Sequence, residues 1–260
     1  MPVDIGDVKG HPVSEQPYQQ PPITEAVIEI RFSEPMPTAD LAKVSDTFKS
    51  TYPHEQIVTD VSVQLYFRHD TQNTAQAKAI EKRGHRRSSP DQTELVLLWP
   101  AIFVVSQLAP YPGWDVFFAR FQRDWNTWKR AVSYKNISRI GVRYINRIDI
   151  PVEGRPVTHE EEFLNVYVHM PDELQPLAAW AVQGQLRLPD MGCKLTLNSS
   201  VVPSPLLGHV AFVLDQDIAK DDRPPQNDAE IYKLLNQIRD KKNSVFESCI
   251  TDKARRLFKP

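Results

Sequence analysis

In the stretch ITEAVIEIRF, residues 23–32, side chains of opposite character alternate. Ala26, Ile28, Ile30 and Phe32 fall on one side, and Glu25, Val27, Glu29 and Arg31 on the other, which is the period of a half-buried strand. The same alternation returns in ISRIGVRYINRIDI, residues 137–150. There Val142, Tyr144, Asn146, Ile148 and Ile150 share one face, while Arg139, Arg143 and Arg147 form a stripe on the other. Further strands are expected at Gln56 to His69, at Ala179 to Leu188, Cys193 to Val201 and His209 to Ile218, and as a pair within Glu94 to Leu108 that turns near Trp99-Pro100-Ala101.

Helical periods stand between them. Leu41, Val44, Phe48 and Tyr52 make one stripe, with Thr38 placed to cap it and Pro53 to end it. In PGWDVFFARFQRDWNTWKRAV, residues 112–132, the positions Trp114, Phe117, Phe118, Phe121, Trp125 and Trp128 recur at steps of three and four. An aromatic stripe of that spacing is core lying on a sheet. From Asp228 a helix is expected with Ile231, Leu234, Leu235, Ile238, Val245, Cys249 and Ile250 inward. Unbroken to Phe258, it would span about 45 Å at 1.5 Å per residue, with Asn243-Ser244 the place for a bend. Thr71 to Thr93 is polar and basic and reads as a solvated insertion between strands.

The order of elements gives an α+β fold built as a tandem β-α-β-β-β-α repeat, a broad antiparallel sheet with helices packed on one face. The expected divisions are an extended Pro- and Gln-rich arm (1–22), a first half (23–136) and a second half (137–260), together one compact pseudo-symmetric unit. The repeat depends on a helix between Thr158 and His169.

Composition narrows the function. The 31 basic and 33 acidic side chains nearly cancel, which argues against general affinity for nucleic acid or anionic membrane. Two cysteines without a C-x-x-C spacing fit a reducing compartment. No secretory signal or membrane-spanning run is evident, so a soluble, cytoplasmic protein is expected. Nine glycines in 260 residues leave little material for phosphate-cradling loops. No nucleophile elbow, Walker loop, dinucleotide fingerprint or paired Cys-His spacing occurs. His159-Glu160 begins like H-E-x-x-H, but Phe163 stands where the second histidine belongs. Asp215 and Asp217 share a strand face without further fixed ligands, so no metal or cofactor is assigned.

The candidate binding residues follow from these patterns. Arg139, Arg143 and Arg147 could receive an anion or an acidic partner, because the guanidinium is planar and permanently charged. The alternative reading has them face Glu25 and Glu29 across paired lead strands, each such pair worth roughly 0.2–1 kcal/mol. Tyr144, Asn146 and Trp180 would line a pocket between sheet and helix. Lys242, Asn243, Thr251, Asp252 and Lys253 lie on the polar side of the terminal helix or interrupt it, where they could bond a loop or another subunit.

LAPYPGW (108–114), IGVRYINRIDIP (140–151) and KNSVFESCITDKARRLF (242–258), with PPITEAVIEIRF (21–32), together resemble a sporadically distributed family of prokaryotic proteins of about this length. The likeness implies a bacterial or archaeal origin and supplies no catalytic residues. The expectation is a non-catalytic binding protein that acts through a protein partner or as a homodimer, in a mobile or defence-linked locus. The alternatives are a small-ligand-binding protein, and a metal-dependent or nucleic-acid-processing enzyme that uses Asp215, Asp217 and the basic segment 81–90.

Overall fold

A computed structural model describes residues 18–67, 75–133, 135–152, 159–174, 177 and 179–259, and for 61–67, 75–82 and 172 the backbone alone. Nine strands form one antiparallel sheet. They are β1 (Ile23–Phe32), β2 (His54–Phe67), β3 (Ala75–Ser88), β4 (Glu94–Trp99), β5 (Ile102–Leu108), β6 (Ile137–Pro151), β7 (Ala181–Leu188), β8 (Cys193–Pro203) and β9 (His209–Lys220). Their order across the sheet is β2-β3-β4-β5-β1-β6-β9-β8-β7. Four helices accompany them: α1 (Thr38–Asp46), α2 (Trp114–Ala131), α3 (Asp228–Cys249) and α4 (Asp252–Arg256). None of the helices in the described residues is long and apolar enough to cross a membrane.

The chain divides into two compact units. One holds residues 25–141 and 220–231, the other 1–24, 142–219 and 232–260. In the first, the alternation of β1 is as the sequence predicts, with Ala26, Ile28, Ile30 and Phe32 buried. The stripe of α2 meets them. Phe32 stacks on Trp128 at 4.4 Å between ring centroids, and Phe103 of β5 lies 5.8 Å from Trp125 and 6.5 Å from Phe121. Burying each such ring contributes about 1.5–3 kcal/mol. A polar cluster closes this core. Tyr52 Oη donates to Asp124 Oδ2 at 2.6 Å, while Arg120 and Arg123 both donate to Tyr52 Oη.

Two expectations for this unit change. Thr38 is the first residue of α1 and makes no side-chain cap; Pro37 holds the cap position. The turn at 100–101 joins β4 and β5 as expected. The basic segment, expected as a loop, is strand from Ala75 to Ser88. It pairs with β2 over its whole length and with β4 from His85 to Ser88. Arg87 explains how so polar a stretch enters a sheet: it is 1% exposed and donates to Ser45 and Asp46, with Glu55 at 3.2 Å. At Gly84, Trp99 lies so close that an added Cβ would sit 2.6 Å from the indole.

The second unit packs α3 and α4 against β6 and β9. Its core includes Ile148, Ile150, Phe163, Leu164, Trp180, Phe212, Leu214, Phe246, Cys249, Ile250 and Phe258. The helix expected near 158–169 is a single 3-10 turn, Glu160–Glu162, among the described residues. That turn stands where the first half has α1, and three strands follow it where the first half has four, so the two halves do not match element for element.

The terminal helix breaks at Ile250-Thr251 rather than at Asn243-Ser244. A segment from 162–165 causes the break by satisfying its backbone. Asn165 N donates to Cys249 O at 2.8 Å and Thr251 N to Phe163 O at 3.0 Å, flanking a bridge between Leu164 and Ile250. Asn165 Nδ2 donates to the carbonyls of Ser248 and Ile250, which the ended helix leaves open. Thr251 then caps α4, its hydroxyl accepting from Ala254 N and donating to Glu162 O.

Candidate functional site

The arginine stripe is engaged within the protein. Arg139 pairs with Glu29 of β1, which also accepts from Arg31 at 2.7 Å. Gly141 makes room for this, since a Cβ there would lie 2.5 Å from Arg139 Nη1. Arg143 donates from Nε and Nη2 to the two carboxylate oxygens of Asp215, both at 2.7 Å. Asn198 of β8 adds a third bond to that carboxylate at 3.0 Å. Arg147 holds Asp149, which also accepts from Ser204. Glu25 does not complete the expected lead-strand set by itself; it accepts from Ser106 at 2.6 Å.

The terminal candidates are fasteners too. Lys253 pairs with Glu162 and lies 4.6 Å from the centroid of the Phe163 ring. Asp252, exposed, accepts from Arg255 at 2.6 Å. Arg255 also binds the Glu247 carboxylate and carbonyl. On its other side Glu247 accepts from Tyr18 Oη at 2.6 Å. Burial, followed by that bond to Glu247, raises the Tyr18 phenol well above its ordinary pKa. Residues 1–17 of the expected arm lie outside the described residues, whereas Tyr18 lies edge-on to Phe246 and Phe258. Asn243 is half-buried on α3.

Two of the three expected pocket residues hold structure. Asn146 donates to Leu214 O at 3.1 Å, pinning β9 backbone, and Trp180 donates to Glu160 at 3.2 Å beside Phe212. Tyr144 differs. Across its buried ring lies Lys242, whose Nζ is 3.8 Å from the ring centroid. Lys242 was expected on the polar side of the helix; it is 7% exposed, because it sits one turn beyond Ile238 on the apolar stripe. Burial, and next the charge of Arg239, bring its pKa down from 10.5 to about 7, while Glu247 acts in the opposite sense.

Gln216 and Arg239 complete this cluster and lie outside the residues expected from sequence. Gln216, fully buried on β9, turns its amide so that Nε2 donates to Lys242 O at 3.2 Å and Oε1 accepts from Phe246 N at 3.3 Å. Its signal was a polar residue on the face of Phe212, Leu214 and Ile218. Arg239 stands three residues before Lys242, a spacing that places them side by side on a helix.

No family model and no curated protein matches the chain. Among solved structures it is similar to DynU16, a protein of the dynemicin biosynthetic locus, with 9% identity, a TM-score of 0.17 and coverage of 86% of this chain and 97% of that one. It is also similar to the S. pombe Pct1 RNA triphosphatase solved with the Spt5 CTD, with 8% identity, a TM-score of 0.14 and coverage of 87% and 79%.

Proposed function

We propose that the protein is a non-catalytic interaction module that receives an extended segment of a partner protein along β7. The condition of that edge supports the reading. β7 ends the strand order, so one side of its ladder meets no further strand among the described residues. Such edges template pairing, and chains commonly guard them with lysine, proline or a bulge. Ala181–Leu188 contains neither lysine nor proline, and it runs in unbroken register with β8 from Ala181↔Ser200 to Leu188↔Cys193. Leu186 stands 49% exposed on it. An added strand would gain main-chain hydrogen bonds, with an apolar side chain suited to Leu186 and a carboxylate suited to Arg187.

Because Arg143 and Asp215 neutralise each other, the partner is not drawn to the arginine stripe, and the Asp215 carboxylate is not open to a cation. The test is native mass spectrometry of tagged protein from its own host, with Leu186→Lys alongside. A stoichiometric protein partner on the wild type that is lost from the variant is the expected result. A partner retained by the variant, a doubled chain mass or a bare monomer would overturn the reading.

A further inference from the structure

The Lys242 ammonium brings three N–H donors to the buried side of α3. The face of Tyr144 attracts its charge but supplies no lone pair for a conventional hydrogen bond. No oxygen acceptor among the described residues takes a bond from Nζ. Glu247, whose charge reaches Lys242, is already held by Tyr18 at 2.6 Å and Arg255 at 2.7 Å. One turn earlier, Arg239 turns Nη1 to Asp240 at 3.1 Å, yet its Nε is buried without an acceptor. Two cationic side chains on neighbouring turns thus hold open donors in protected surroundings. Gln216 fixes the helix backbone at Lys242 and Phe246, which keeps Lys242 in place over the Tyr144 ring.

We infer that Lys242 and Arg239 form a binding site for a small oxyanion, a carboxylate or phosphate group received by Lys242 Nζ and Arg239 Nε. Open donors in a low-dielectric setting gain most from an acceptor that is itself charged. The site lies apart from the β7 edge and does not depend on it. The groups that face Lys242 are Arg239 and Glu247 from α3 and Tyr144 from β6; Gln216 of β9 carries no charge. The anion binds the ammonium form, so binding takes up a proton above neutral pH and weakens as pH rises.

Calorimetry and thermal unfolding of the full chain would test this with malonate and with phosphate, against chloride at matched ionic strength, near pH 6 and near pH 8.5. Saturable binding of at least one anion is expected, tighter at the lower pH and at least about tenfold weaker in Lys242→Met and in Arg239→Gln. The preferred anion then separates a carboxylate from a phosphate ligand. Lys242→Met removes a buried charge and Arg239→Gln retains a polar side chain, so the two variants check one another for folding. Absence of saturable binding by both anions at both pH values, or affinity unchanged in both folded variants, would overturn the inference.

Discussion

Arg143 and Asp215 meet fork to fork, with two 2.7 Å bonds between β6 and β9. The arginine is half exposed while the aspartate is 9% exposed, so the carboxylate depends on the pair more than the guanidinium does. A double-mutant cycle with Arg143→Ala and Asp215→Ala should show a coupling of about 1 kcal/mol in urea unfolding. Arg143→Ala alone should cost about 1–3 kcal/mol, because it leaves the carboxylate with Asn198 as its remaining described partner. A coupling near zero would show that the pair is decorative.

Asp124 anchors the polar cluster in the unit of residues 25–141 and 220–231, and it is 2% exposed. Asp124→Ala removes the acceptor of Tyr52 and the counter-charge of Arg120 and Arg123. A loss of about 3–5 kcal/mol is expected. Tyr52→Phe, which removes one hydroxyl, should cost about 1–2 kcal/mol. Equilibrium unfolding of both variants checks the order.

Asn165 joins the carbonyls at the end of α3 to a distant stretch of chain. Asn165→Ala should destabilise by about 1–2 kcal/mol. Amide exchange should quicken at Cys249–Ala254 and at Phe163–Asn165 together. Quickening on one side alone would show that the two segments open independently.

Lys242 gives stability a particular dependence on pH. Between its folded pKa of about 7 and its ordinary 10.5, the unfolded chain holds a proton that the folded chain gives up. Stability therefore rises with pH in that window, with a slope of at most about 1.4 kcal/mol per unit. Below the window both states are charged and the slope vanishes. Cys249 acts oppositely at higher pH, because burial pushes its thiol from 9.0 up to about 11 and favours the protonated folded form. Urea unfolding between about pH 7 and 8.5 should show the rise in wild type and its absence in Lys242→Met. Equal slopes would mean that Lys242 keeps its proton on folding.

What could be read from sequence was what local period governs. The alternation of β1 and the stripe of α2 each carry their burial pattern within a few residues, so their inward faces follow from spacing. The strand at Ala75–Ser88 does not show itself, because its pairing and the partners of Arg87 lie on other elements. The break at Thr251 likewise depends on Glu162 and Phe163, some ninety positions earlier. Lys242 was legible in part: its position continues the stripe of Leu235 and Ile238, but its residue type argues for the surface. The arginine stripe was correctly grouped on one face, whereas its counter-charges on β9 and within β6 could not be assigned without the register.

The Gln216 amide has a mechanical consequence for the sheet on which α3 rests. Apolar burial that holds a helix down is non-directional, whereas a hydrogen bond is met at one distance and angle. The two bonds from Gln216 run in opposite senses to Lys242 O and Phe246 N, and both are met at one position only. They act as a dowel. Sliding or turning α3 would break both at once in a place where water cannot replace them, so the helix is located as well as attached.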